Sequence, residues 1–550
     1  MRPGASGPPA PPRLPRLRSW MSRRSAVDRA EPHTPAAPGR RGFWNAVARA
    51  LRLLTAAAGL AAIAVCLGTA ARRVGYPYAL EWLEGNSLVE VHRLLAGKPL
   101  YCPPTVDYVA DGYPALYFAA AAGLAGVLGV SYLPLRLVSL AASLACFVLL
   151  ARLVQRETGH LTAGVAAAGL YAATYFAAGT WFDLARVDSL FLAFSLAGLY
   201  TARWMRRPRG AVAAGLLLAA AFLTKQSALA EAVAITVALL FDPQRRRLAA
   251  LLAATFAGVL GLTTLLWGAV SHGWYVFYVF GLLSQHPLEH AAFTRFWSWY
   301  LLPTLGLALG AVLLAVRRIP LILALGCLAL TVEGYAALLH TGGAVNSMLP
   351  VYAAVASLAG IGMAGSTAGS TAGPRSAAAD LPAAAASTLV LLQIVILAAN
   401  TFALGQVVPT AADRRVGDQL RAWLRGFGGP VAVFSDPGLL LLAGLPPVAH
   451  RAAASDILRG TSRTAQARLR RSIGSAVTER RFAAIVVEQR ADQQGFPPHL
   501  TRYYRRCPQK LLAAVPNKVF RPVAGLPVRP MTLWLPAGRG SCEAAVRRLG

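Results

Sequence analysis

Charge is scarce in this chain. Of its 550 residues only 14% are Asp, Glu, Lys or Arg, against 56% hydrophobic, and just four are lysines. So little charge excludes a soluble protein with an ordinary polar surface, and the apolar runs that recur from about residue 49 to residue 405 identify a polytopic membrane protein. The formal charge of +31 does not indicate a nucleic-acid partner, because the arginines lie in short clusters beside apolar runs and not on one soluble face. Topology accounts for the charge better. Few lysines beside abundant alanine read as a GC-rich coding bias, so the use of Arg in place of Lys carries little functional information. A cleaved signal peptide is not expected either. The first apolar run begins late, exceeds the length of an h-region and precedes no convincing cleavage site. Met21 is an alternative start.

Residues 1–45 are rich in Pro, Ala and Arg, with no apolar face to bury, which predicts a disordered cytoplasmic tail. Residues 46–405 form the membrane domain. About eleven spans are expected, near 49–70, 134–152, 161–180, 188–204, 210–224, 227–242, 248–270, 300–316, 320–339, 348–364 and 384–405. The basic clusters at Arg152 and Arg156, Arg203 to Arg209, Arg245 to Arg247, Arg317 and Arg318, and near Arg375 are each separated from the next by two spans. All lie on the cytoplasmic side with the N-terminus only if the short apolar stretch Tyr113 to Val130 does not cross. That stretch is therefore expected to be juxtamembrane or re-entrant. Arg72 and Arg73 then fall outside, against the trend. The GSTAGSTAG run at 365–373 reads as a flexible cytoplasmic linker.

This parity collects polar segments on the extracytoplasmic face of a cell membrane. The loop 71–133 holds five acids, Glu81, Glu84, Glu90, Asp107 and Asp111, among aromatics and prolines. The turn Trp181 to Asp188, the turn at Lys225, the aromatic loop Ser271 to Tyr300 and the segment His340 to Ser347 join it. A carboxylate-rich loop beside a bilayer suggests chemistry on a polar group attached to a lipid. From about residue 406 hydropathy falls, and a small extracytoplasmic α/β domain is expected. GPVAVFSDPGLLLLAG reads as strand, turn and short helix, and FAAIVVEQR and MTLWLP as further strands, with Arg-rich helices near 412–425 and 461–481. Cys507 and Cys542 are candidates for a disulfide there.

The ordered series EWLEGNSLVEVHRLLAGKPLY, DGYPALYF, LPLRLVSLAASL, FDLARVDSLFLAFSLAGLY and GLLLAAAFLTKQSAL resembles the bacterial GT-C glycosyltransferases. These are integral membrane enzymes using polyprenyl-phosphate sugars, among them the aminoarabinose lipid A transferases and the protein mannosyltransferases. The resemblance covers roughly residues 45 to 405. It implies a GT-C-like helical membrane fold and inverting transfer of a sugar to an extracytoplasmic lipid, glycan or protein acceptor. It further implies a catalytic acid in EWLEG, with Glu84 as first choice and Glu81 as second, because the family's adjacent Asp-Glu pair is absent. Asp188 in LARVDS resembles an acid of the same site. Lys225 in FLTKQS resembles a Thr-Lys motif, whereas Tyr113-Pro114 stands where the aminoarabinose transferases have Lys-Pro.

Such a transfer needs a base for the acceptor hydroxyl and cations or a metal for the departing phosphate. Lys225, Arg186, Arg295 and His340 are the candidates to meet phosphate, with Asn346 beside Gly342 and Gly343 as an amide donor and Tyr113 at the missing lysine. Each has a plainer reading: solvation for Glu84, pairing with Arg186 for Asp188, snorkelling for Lys225, a membrane belt for the aromatic loop. His272, His286, His290 and His340 show no metal-ligand spacing. No cofactor is read from the sequence. Metal dependence stays open, a divalent ion being compatible. Two rival functions remain. A transporter or flippase of lipid-linked sugars predicts internal repeats, and none is evident; a silent scaffold predicts that Glu81, Glu84 and Asp188 are dispensable.

Overall fold

The computed structural model describes residues 38–364, 377–399, 404–488 and 496–549. The expected tail up to residue 37 and the 365–373 linker lie outside the described residues. Helix α1 (Pro38–Arg73) starts eight residues inside the expected tail, since the Trp44–Leu54 stretch already carries apolar residues at helical spacing. There follow α2 (Glu84–Leu95), α3 (Leu116–Leu128), α4 (Tyr132–Thr158), α5 (Leu161–Ala173), α6 (Asp188–Trp204), α7 (Pro208–Thr224), α8 (Leu229–Leu240) and α9 (Arg246–Val270). The helices Leu302–Ala315, Leu321–Leu339, Leu349–Gly362 and Ala377–Ala398 complete the membrane domain.

A helix lies at each expected span, and among the described residues seven helical stretches are long and apolar enough to cross a bilayer by length and composition. The protein is a multi-pass membrane protein. Its helices sort by burial: the Val345–Gly362 stretch is 89% buried whereas Arg246–Val270 is 17% buried, so the first is the bundle's centre and the second its lipid-facing rim. Helix α3 rises only about 20 Å at 1.5 Å per residue, too little for a ~30 Å hydrocarbon core. Helices α1 and α5 cross where a Cβ on Gly169 would lie 2.1 Å from the Gly59 Cα, so only glycine permits that approach. The aromatic loop is a hairpin with two π-helical turns, Phe277–Leu282 and Phe296–Leu301, a geometry that is rare and concentrated at functional sites.

The C-terminal domain is a four-stranded sheet in the order β1-β2-β4-β3, formed by β1 (Val431–Val433), β2 (Ala484–Glu488), β3 (Tyr504–Lys510) and β4 (Pro530–Pro536). Strands β1 and β2 are parallel, Val431 facing Ala484, with helix Arg463–Thr478 in the crossover; β4 runs antiparallel to both β2 and β3. Three strands and both Arg-rich helices match the sequence expectation. Strand β3, YRRCPQK, is the unexpected one: it is a charged edge strand containing Pro508, so it lacks the apolar alternation that reveals a half-buried strand.

Cys507 of β3 and Cys542 are joined as a disulfide with a sequence separation of 35. Closing a loop of this length stabilises by about 2–4 kcal/mol. Reduction is therefore expected to lower the melting temperature of the C-terminal domain, and Cys507→Ser to do the same without reductant. Equal melting curves with and without reductant would refute this.

The domain sits on the acidic loop rather than apart from it. Arg481 pairs with Asp107 at 2.5 Å, Ala449 N–H donates to the Val106 carbonyl at 2.8 Å, and Tyr78 Oη donates to Asp418 at 2.8 Å.

Candidate active site

The loop after α1 is anchored by two buried ion pairs. Arg73, in the last turn of α1, donates to both oxygens of Asp183 at 2.6 and 2.8 Å and to the Thr180 carbonyl at 2.6 Å. This pairing leaves the Arg73 charge fully compensated where it is buried. Arg136 of α4 is fully buried and binds Glu84 on both oxygens, at 3.0 and 2.7 Å. Glu84 also accepts from the Leu80 and Ala185 N–H groups, at 2.6 and 2.7 Å. Four donors saturate its carboxylate, so it ties the loop to α4 and to the 174–187 turn and has no lone pair facing open space.

Other acids of the loop are also engaged. Glu90 accepts from Tyr108 Oη at 2.5 Å and from the Asp111 N–H at 2.9 Å, and burial together with the charge of Asp111 pushes its carboxyl up to about 8. Asn86 donates to Asp111 at 2.6 Å. Glu81 differs. Its Oε2 accepts only the Leu83 N–H, at 2.9 Å, and lies 4.0 Å from Arg186 Nε, while its buried Oε1 has no partner. Burial raises its carboxyl to about 8, opposed by Arg186 and reinforced by Glu84.

Around Arg186 the chain brings together residues that are far apart in sequence. The guanidinium carbon lies 5.7 Å from the centre of the Tyr113 ring and 5.8 Å from that of Trp181, within cation–π range of both. At the start of α6, Asp188 Oδ1 accepts from Lys225 Nζ at 3.1 Å and from Asn346 Nδ2 at 3.0 Å. Four buried polar atoms here lack hydrogen-bond partners among the described residues: Glu81 Oε1, Asp111 Oδ2, Arg186 Nε and Asp188 Oδ2. Unpaired buried polar atoms are uncommon in native proteins, and a group of them marks a place where something else binds.

Six of the nine sequence candidates thus form one cluster: Glu81, Tyr113, Arg186, Asp188, Lys225 and Asn346. Glu84 lies beside it, saturated by Arg136. Arg295 and His340 fall elsewhere, at the aromatic hairpin. Arg295 pairs with Glu289 at 2.7 Å, and His340 makes a backbone bridge to Leu288.

Sequence reasoning missed the acids behind Lys225. Glu333 accepts from Ser227 Oγ at 2.6 Å, and Glu231 is fully buried with the Ser195 hydroxyl beside its carboxyl. Both stand inside segments read as spans, 227–242 and 320–339, and a carboxylate within an apolar span was the signal that could have found them. Among the described residues no three of His, Cys, Asp and Glu gather in a way that could hold a metal ion. Arg186 and Lys225 fill the position beside the acids with fixed positive charge, a donor set that does not suit a divalent ion.

The sequence pattern of the dolichyl-phosphate-mannose-protein mannosyltransferase family matches residues 113–269, less than a third of the chain. No curated protein matches in sequence. Among solved structures, the apo form of ArnT from Cupriavidus metallidurans is similar with TM-score 0.54 and 12% identity, over 91% of this chain and 98% of that one. The same protein bound to undecaprenyl phosphate gives TM-score 0.49 at 11% identity, over 92% and 100%. The Archaeoglobus fulgidus oligosaccharyltransferase gives 0.47 at 12%, over 79% and 70%. The family pattern covers only that one segment, and the likeness to ArnT at 12% identity is a likeness of fold.

Proposed function

We propose that this protein moves a sugar from a polyprenyl-phosphate donor to a hydroxyl acceptor on the extracytoplasmic side of a cell membrane. The observation that carries this is the buried cluster of Glu81, Arg186, Asp188, Lys225 and Asn346, with its unpaired carboxylate and guanidinium atoms, at the mouth of a helical membrane domain. Glu81 is the base. Its free Oε1 takes the proton of the acceptor hydroxyl as that oxygen bonds to the sugar's anomeric carbon and the bond from that carbon to the phosphate oxygen breaks. Attack opposite the leaving phosphate gives inversion. Arg186 and Lys225 receive the phosphate and its growing charge, with Asp188 and Asn346 holding the Lys225 ammonium in position. Glu84 has a structural role in this reading, its four donors leaving no room for proton transfer. Arg295 and His340, apart from the cluster, take no part in the chemistry.

Lys225→Gln removes a cation and leaves Asp188 short of a partner. A charge-assisted hydrogen bond contributes about 1.5–3 kcal/mol, so affinity for polyprenyl phosphate is expected to fall roughly 10- to 100-fold. Titration of undecaprenyl phosphate onto the detergent-solubilised variant checks this, and unchanged affinity would remove Lys225 from the phosphate site. A flippase would instead carry the intact lipid-linked sugar across sealed vesicles. The acids of this cluster gather at helix ends on one face, which favours chemistry over passage.

A further inference from the structure

Glu81 is wholly buried, so an acceptor hydroxyl cannot reach it until something moves. What covers it comes from the far end of the chain. Between Leu512 and β4 the C-terminal domain sends out an irregular strap that crosses the EWLEG segment. Val523 and Ala524 N–H both donate to the Leu80 carbonyl, at 2.8 and 3.1 Å, and Ala524 pairs with Glu81 in a parallel bridge. Gly525 then passes directly over the carboxylate with φ +72°; a Cβ there would stand 2.6 Å from Glu81 Oε1 and 2.9 Å from Trp82 Cδ1. Both the left-handed backbone and the close approach require glycine.

Under the strap is a cleft with walls from two sources, the strap itself supplying Phe520 and Arg521. The loop contributes Tyr76 and Trp82; the C-terminal domain contributes Ser435, Asp436, Phe520 and Arg521. Three aromatic rings with a hydroxyl and the exposed Arg521 guanidinium match a hydroxylated ring, whose C–H faces stack on aromatics while its hydroxyls take hydrogen bonds; Asp436 Oδ1 is already engaged by the Leu439 N–H and Tyr132 Oη. The free space in the closed cleft is about 20 Å³, room for a water and far too little for a sugar. The strap is the wall suited to move. It belongs to no sheet of the C-terminal domain, two of its hydrogen bonds share the single Leu80 carbonyl, its other tie at this end is Phe520, bonded through N–H to Asp413 and packed on Tyr78, and Pro522, Gly525 and Pro527 punctuate it.

We propose that this cleft is the acceptor subsite, that it takes a sugar ring of a glycan or glycolipid, and that it opens when the 520–528 strap lifts from Leu80 and Glu81. Lifting the strap exposes Glu81 Oε1 on the side of Trp82, so the ring bound there presents its hydroxyl to the base. The subsite rests on the proposed transferase reading, and the experiment separates the two.

Purified protein in lipid is given a panel of undecaprenyl-phosphate sugars and, as surrogate acceptors, octyl glucoside, octyl galactoside and octyl mannoside. Wild type is compared with Trp82→Ala, Phe520→Ala and Arg521→Gln. The expected result is a glycoside KM raised tenfold or more in Trp82→Ala and Arg521→Gln, with the donor KM moved less than twofold. Hydrogen exchange at Val523 and Ala524 is expected to speed up when glycoside is added to wild type, a readout that needs no variant. No donor turnover at all would sink the transferase reading itself. Donor turnover with glycoside KM unchanged in the variants, with no glycoside accelerating it, or with transfer only to a serine peptide would overturn the subsite while leaving the transferase standing. Strap exchange unaffected by glycoside would overturn the lifting.

Discussion

Glu81→Gln is expected to lose roughly 10²- to 10⁴-fold in kcat, the scale on which a positioned general base contributes, while the protein still folds. The same variant carries a second, opposite signature. The Glu81 carboxyl is raised from 4.5 to about 8, chiefly by burial. Between those values the native state holds a proton that the unfolded chain has released, so native stability falls as pH rises from about 4.5 to 8. Glutamine is indifferent to pH. Glu81→Gln should therefore melt above wild type at pH 8 and with it at pH 4.5. For the reaction, the ionised base is needed, so kcat/KM should rise with pH through a limb near 8 that the variant lacks. An inactive variant that melts below wild type at pH 8 would mean that Glu81 supports the fold instead.

Glu84→Gln should behave the other way round, with a stability loss of about 3–5 kcal/mol because a buried Arg136 guanidinium is left without its counter-charge. Arg136→Met should cost as much from the other side. Joining Glu84→Leu to Arg136→Met is expected to regain part of the loss, since no lone charge then remains buried, but not all of it. The Leu80 and Ala185 N–H groups still lose their acceptor. Thermal melting in one lipid mixture reads all four proteins. A Glu84→Gln variant that melts like wild type and makes no product would return Glu84 to the role of base.

The contrast between these neighbours marks where sequence reading stops. The motif located the loop, yet its two glutamates are three residues apart and chemically alike. Their difference comes from Arg136, 52 positions on, in a segment whose motif gave no sign of which glutamate it pairs with. Helix positions were readable because bilayer burial demands long apolar runs. Asp188 and Lys225 were found through motif context, and the fold brings them to 3.1 Å. Arg295 and His340 shared their residue types but not their place, because sequence does not say which end of a hairpin faces a cluster. The cover that the C-terminal domain lays on Glu81 had no local signal at all: VAGLP reads as a turn, and only tertiary docking sets Gly525 against a carboxylate 444 positions earlier.

One measurement bears most directly on the whole account: release of undecaprenyl phosphate from a panel of undecaprenyl-phosphate sugars by purified protein in sealed lipid vesicles, for wild type and Glu81→Gln. The account predicts release from at least one donor by wild type, close to none by Glu81→Gln, and no crossing of the intact donor in either. Equal release by both proteins, or donor crossing the bilayer without release, would contradict it.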